Sequence, residues 1–110
     1  MYDVIVVGAR CGGSPTAMNL ARAGHKVLVV DRATFPSDTL STHALAGDSV
    51  NRLRQWGLLD KVCAESRTIV YAGTRMHVAG QTFDIAGEGL CPRRTTLDKI
   101  LVDAARDAGA

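Results

Sequence analysis

The stretch from Tyr2 to Asp31 limits the possible folds more than any other part of the chain. Tyr2 to Val7 is a short apolar run rich in β-branched residues and ends at Gly8. It predicts a strand buried on both faces, as in a parallel sheet. Small and apolar residues from Gly12 to Ala23 follow, with Gly24 where a helix-ending glycine belongs. Pro15 lies in the first turn of that helix, where proline is tolerated. Lys26 to Val30 reads as a second buried strand, closed by Asp31. Strand, helix and strand with so short a return predict a right-handed βαβ unit with parallel strands.

The first turn is Gly8-Ala9-Arg10-Cys11-Gly12-Gly13. In the fingerprint G-x-G-x-x-G the first glycine permits the tight turn, the second admits a pyrophosphate, and the third lets helix and strand pack closely. Gly8 and Gly13 take the first and third places. Arg10 stands where the second glycine is expected, and Gly12 adds a small residue before the helix. The start of that helix offers unpaired amides and the positive end of its dipole, which suits a diphosphate. Ala17 and Ala21 continue the small face begun at Gly13. Asp31 falls eighteen positions after Gly13 at the tip of the second strand, where a carboxylate can accept hydrogen bonds from ribose hydroxyls. Pointing inward, Arg10 crowds a pyrophosphate; pointing outward, it adds positive charge beside the phosphates or a ring system. Cys11 at a helix start can have a lowered thiol pKa and be reactive, or it can be a plain turn residue.

Beyond Arg32 the pattern loosens. Residues 33–46, ATFPSDTLSTHALA, read as an ordered loop rich in Ser, Thr, Pro and Asp. Asp48 to Trp56 predicts a short helix broken at Gly57, and Leu58 to Ala64 a further turn or two. Thr68 to Ile85 predicts a hairpin turning near Ala79-Gly80. Thr96 to Ala108 is the clearest amphipathic helix, with Leu97, Ile100, Leu101, Ala104, Ala105 and Ala108 on one stripe. Thr95 and Asp98 match a capping signature, and Gly109 supplies the stop. A two-stranded parallel sheet buries little apolar surface by itself, so the chain is expected to be the N-terminal part of a larger protein.

A formal charge of +2 with no basic stripe argues against nucleic acid. Three widely spaced cysteines, Cys11, Cys63 and Cys91, fit neither a disulfide framework nor a zinc site. His25 and His77 have no ligand-spaced partner, so no metal is expected. The apolar run at Val4 to Val7 is too short for a signal peptide or a membrane span, and a cytoplasmic protein is expected. Trp56 reads as a packing residue.

The segments DVIVVGARCGGSPTAMNLARAGHKVLVVDR, TFPSDTLSTH, NRLRQWGLLDKV and CPRRTTLDKILVDAARDAGA occur in that order and cover nearly the whole chain. Together they resemble the N-terminus of the FAD-dependent monooxygenase and geranylgeranyl-reductase-like superfamily, flavoproteins of the p-hydroxybenzoate hydroxylase fold. The resemblance implies an α/β, Rossmann-like βαβ FAD/NAD(P)-binding fold, incomplete over residues 1–110, with an inserted β-hairpin. It implies that the rest of the FAD-binding domain and a substrate domain lie outside these residues.

It further implies that the backbone of Gly8, Arg10, Cys11, Gly12 and Gly13 holds the FAD pyrophosphate, that Asp31 holds the adenosine ribose, and that Arg32 lies near the adenine. Arg94 in Arg94-Thr95-Thr96-Leu97 matches an arginine that contacts the cofactor, with Arg93 its solvated neighbour. Thr42 lies in a loop that passes close to the flavin in such enzymes. A general-base role for His43 is the weaker reading, since a loop histidine is more often only hydrogen-bonded. No catalytic residue is assigned. The function implied is the FAD-binding portion of a flavin-dependent oxidoreductase, a monooxygenase or C=C reductase using NAD(P)H on a small organic substrate. Such a fragment is expected to be inactive by itself. The alternatives are an NAD-binding dehydrogenase-type domain and a non-catalytic nucleotide-binding module.

Overall fold

The computed structural model describes Met1–Ala110. In chain order its elements are β1 (Val4–Val7), α1 (Gly13–Arg22), β2 (Val27–Val30), β3 (Leu45–Ala46), α2 (Gly47–Gln55), α3 (Leu59–Ser66), β4 (Tyr71–Val78), β5 (Gln81–Leu90) and α4 (Arg94–Asp107). They fall into two compact units, Met1–Leu40 with Arg94–Ala110, and Ser41–Arg93.

The first unit contains the expected βαβ. Strands β1 and β2 are parallel, with Val4 opposite Val27 and Val7 opposite Val30. Bonds from the Asp3 amide to Lys26 O (2.8 Å) and from the Gly8 amide to Val30 O (2.7 Å) extend the pairing at both ends. Helix α1 lies against both strands, and α4 lies against α1. The core they share is Ala17, Met18, Val27, Leu97, Ile100, Leu101, Ala104 and Ala105, which includes most of the stripe read from α4.

Two expectations need correction here. The strands are not buried on both faces: Ile5 is 62% and Val7 83% exposed, while Val4 and Val6 are half-buried. Side chains alternate along a strand, and the helices of this unit cover only the face that carries Val4 and Val6. The start of α4 also differs. The helix already includes Arg94, so Thr95 lies inside it and is no cap. Asp98 does not cap the backbone either, because its buried carboxylate accepts from the side chains of Arg10, Cys11 and Arg94.

Both helix ends follow the sequence. The Gly24 amide bonds to Ala21 O (2.9 Å) and the His25 amide to Leu20 O (3.1 Å). The Gly109 amide bonds to Arg106 O (2.9 Å) and the Ala110 amide to Ala105 O (3.0 Å). This paired arrangement satisfies the last carbonyls of a helix.

The second unit holds an antiparallel sheet of order β3-β5-β4 with α2 and α3. The hairpin turns at Ala79 (φ 50°) and Gly80 (φ 76°), two left-handed residues as a tight hairpin turn requires. It is longer than expected, because β5 continues from Ile85 to Leu90. The residues expected as loop also contribute β3, where Leu45 pairs with Leu90 and Ala46 with Gly89. Arg75 and Asp84 form an exposed cross-strand fork at 2.6 and 2.9 Å. Val50, Leu53, Val62, Leu90 and Pro92 are buried apolar side chains of this unit.

One contact fixes the geometry of the βαβ unit. A Cβ placed on Gly13 lands 1.7 Å from Gly8 O and 3.1 Å from Val6 Cγ1. The first turn of α1 therefore sits directly on the end of β1, as the third glycine of the fingerprint requires. Gly13→Ala should lower stability by about 1–3 kcal/mol through overpacking against backbone. A shift of the denaturant midpoint in the full-length protein measures it; an unchanged midpoint contradicts the contact.

Candidate functional site

The site grows from the turn between β1 and α1. Gly8 has φ 101°, a conformation L side chains rarely adopt, so the chain turns sharply as it leaves β1. The Ser14 amide bonds to Arg10 O (3.0 Å), the Thr16 amide to Gly12 O (3.3 Å), and Ser14 Oγ donates to Ala9 O (2.7 Å). These bonds wind the turn into the helix. The amides of Gly12 and Gly13 stand in its first turn, where an α-helix has no internal acceptors.

Gly12 is unlike its neighbours. Its φ of −91° suits any residue, and a Cβ built on it meets nothing within 4 Å. Neither backbone strain nor packing calls for glycine there. Open space beside helix-start amides is what a group approaching from outside the chain needs, so the residues present fit a dinucleotide diphosphate.

Asp31 stands beside this turn. Its Oδ2 accepts from the Ala9 amide (2.6 Å) and its Oδ1 from the Ala33 amide (2.7 Å). The Ala9 bond first, then the Ala33 bond, and then the nearby Arg10 and Arg32 charges hold its carboxyl below the usual range. At neutral pH it is an acceptor only, with lone pairs left for hydroxyl groups. Val7, Gly8, Arg10, Asp31, Arg32 and Ala33 line a shallow pocket of about 360 Å³. It lies at the C-terminal ends of the parallel strands, where open α/β sheets bind ligands. A larger cavity of about 530 Å³ follows β2 and the end of α4 and shares Asp31 and Ala33 with it. The smaller pocket joins the glycine turn, the carboxylate and two basic side chains, so its chemistry makes it the candidate site.

Arg10 and Arg94 meet at a residue that sequence reasoning passed over as a cap. Asp98 is fully buried. Its Oδ2 accepts from Arg10 Nη1 (2.6 Å) and Arg94 Nη2 (3.1 Å), and its Oδ1 from Arg94 Nε (2.9 Å) and Cys11 Sγ (3.2 Å). Arg10 also donates from Nη1 to Ser37 O (3.1 Å) and from Nη2 to Ser37 Oγ (3.0 Å) and Asp38 O (3.2 Å). Its guanidinium lies 5.3 Å from the Phe35 ring centroid. All four Nη hydrogens thus have protein acceptors, and the side chain in the second-glycine place is drawn to α4 and residues 35–38. The Arg94–Asp98 spacing of a helical i, i+4 pair was the signal that could have found this contact.

Thr42 belongs to the second unit, where its Oγ1 accepts from the Ala44 amide at 3.4 Å. His43 follows in the left-handed region (φ 59°), with its amide on Ser41 Oγ (3.1 Å) and Nε2 buried without a protein partner.

Cys11 is an exposed residue whose sulfur turns back to the buried carboxylate. Burial first, then the bond to Asp98 and its charge, push the thiol up to about 11. This answers the question left by its place at a helix start: it is a neutral donor and no nucleophile at ordinary pH. The folded state holds this proton more tightly than the unfolded chain does. Its contribution to stability is therefore full below about pH 9 and lost as pH rises to about 11. With every other cysteine, Cys63 and Cys91 included, replaced by serine, alkylation of Cys11 should show a midpoint near 11, and a midpoint near the ordinary thiol value of about 9 contradicts the contact.

Known proteins resemble the chain over nearly its whole length. Menaquinone reductase of Mycobacterium tuberculosis is 37% identical over 115 residues, covering 98% of this chain and 28% of that protein. Digeranylgeranylglycerophospholipid reductase 2 of Methanopyrus kandleri is 33% identical, covering 99% of this chain and 27% of that protein. The solved structure of the flavin-dependent brominase Bmp2 superposes with a TM-score of 0.86 at 23% identity, over 99% of this chain and 28% of that one, and shares the fold. The chain thus spans little more than a quarter of the length of these relatives. Residues 1–110 match the FAD binding domain family throughout, and the chain belongs to that family.

Proposed function

We propose that residues 1–110 are the N-terminal, FAD-binding portion of a flavin-dependent oxidoreductase, with the rest of the FAD domain and a substrate domain in the remainder of the protein. The observation that carries this reading is the open space at Gly12 beside the helix-start amides, next to the ionised Asp31. The backbone from Gly8 to Gly13, including Arg10, Cys11 and Gly12, would hold the diphosphate. Asp31 would accept from the adenosine ribose and Arg32 would lie on the adenine side. Arg94 would turn the unpaired end of its fork to the cofactor, and Thr42 would contribute a hydroxyl. Bound FAD would supply the hydride and electron transfer, with these residues holding and orienting it.

A reduced nicotinamide is the electron donor in this reading, and the substrate is a small organic molecule. Two relatives at 37% and 33% identity are named as reductases, which favours the C=C reductase branch of this reading, with monooxygenation the other branch. No helix is long and apolar enough to cross a membrane, and three free cysteines fit a reducing, cytoplasmic compartment.

Two measurements on the full-length protein test this reading. The purified protein should carry flavin absorbance that bleaches when NADH or NADPH is added without oxygen. Asp31→Ala should weaken FAD binding by about tenfold or more through loss of charge-assisted hydrogen bonds. A colourless protein that takes up NAD and refuses FAD overturns the proposal. If reoxidation then consumes oxygen together with substrate, the monooxygenase branch is right; if substrate reoxidises the flavin anaerobically, the reductase branch is.

A further inference from the structure

We propose that Asp98 is the positioning residue of this site, a single buried carboxylate that anchors the β1–α1 turn and orients Arg94 toward the diphosphate. Its consequence for the cofactor rests on the FAD reading above. Its local role rests on geometry alone. A buried carboxylate is costly unless paired and hydrogen-bonded, and Asp98, with no exposed surface, accepts four hydrogen bonds, two at each oxygen. No lone pair is left over for a ligand, so Asp98 acts through its donors.

Those donors come from two places. Arg10 and Cys11 are the residues directly before Gly12, so tying both to Asp98 fixes the backbone that presents the Gly12 and Gly13 amides. Arg94 is held by Nε and Nη2, which leaves the Nη1 end of its planar fork pointing away from the carboxylate. Arg10 extends the anchor to residues 35–38 through Ser37 and Asp38. Binding costs less when the receiving groups are already ordered, and this cluster orders the turn before any ligand arrives. The charged groups of the cluster around Cys11 are Asp98, Arg94 and Arg10, and the Asp38 charge acts on Arg94.

The test uses the full-length protein with every cysteine other than Cys11 (Cys63 and Cys91 included) replaced by serine. Asp98→Asn keeps the shape of the side chain and removes its charge. We expect FAD affinity to fall by at least about tenfold, as for removing one partner of a buried pair, while the pH midpoint of Cys11 alkylation in the apoprotein falls below that of the parent. Burial of the thiol persists, so the midpoint should stay above that of an ordinary thiol. A merely space-filling role would leave the thiol titration unmoved. Asp98→Glu, which restores the charge, should recover part of both effects.

Should Asp98→Asn fail to fold, Arg10→Lys tests the same anchor, since it keeps the charge and loses the fork; it should also weaken FAD binding. Parent-like FAD affinity in the Asp98 or Arg10 variants, or an unmoved thiol midpoint in Asp98→Asn, overturns the proposal. A parent protein that takes up no FAD overturns the cofactor reading instead, and the thiol titration still reports on Asp98.

Discussion

The first unit depends on the approach of α1 to the end of β1. With Gly8 O at 1.7 Å from where a Cβ on Gly13 would lie, no other residue fits that place without moving backbone. This closeness brings the first turn of the helix to the carboxyl end of the strand and puts its free amides beside Asp31. The proposed diphosphate site depends on that distance, because amides a few ångströms further back would not face the same crevice.

The βαβ unit was legible from the sequence because its signals are local. Apolar runs of strand length, a glycine turn and a helix-ending glycine each act over a few residues, and the structure places them where the pattern did. What the pattern overestimated was burial. An apolar run such as Val4 to Val7 reads as covered on both faces, yet Ile5 and Val7 are exposed within residues 1–110. The pattern carries no information on which segment covers a face. The end of β5 was missed for a different reason: Gly87 and Gly89 weaken strand propensity. At Gly89 the Tyr71 ring occupies the space a side chain would take, with Cζ and Oη 2.1 Å from an added Cβ.

The candidate site was legible in its backbone and not in its side chains. Gly8, Gly12, Gly13 and Asp31 could be placed from spacing, since each acts through φ, size or its position on a strand tip. The direction of Arg10 could not, because its acceptors Ser37, Asp38 and Asp98 are far away in sequence. Asp98 itself was hidden behind a capping pattern that fits Thr95-Thr96-Leu97-Asp98 equally well. Only the fold shows that the carboxylate faces inward to two arginines and a thiol. The departure from the glycine fingerprint at Arg10 therefore has a structural cause: its side chain belongs to an ion pair that steadies the turn.

The most direct test of the diphosphate site is a single substitution that separates folding from binding. Gly12→Ala adds a methyl group where no protein atom lies within 4 Å and where φ is −91°. Alanine also lowers the entropy of the unfolded chain. Thermal unfolding of the FAD-free full-length protein should be unchanged or slightly raised, while calorimetric titration with FAD should show affinity lowered by about tenfold or more, as expected when a close approach is blocked. Unchanged FAD affinity in a stably folded Gly12→Ala protein would contradict a diphosphate at this turn.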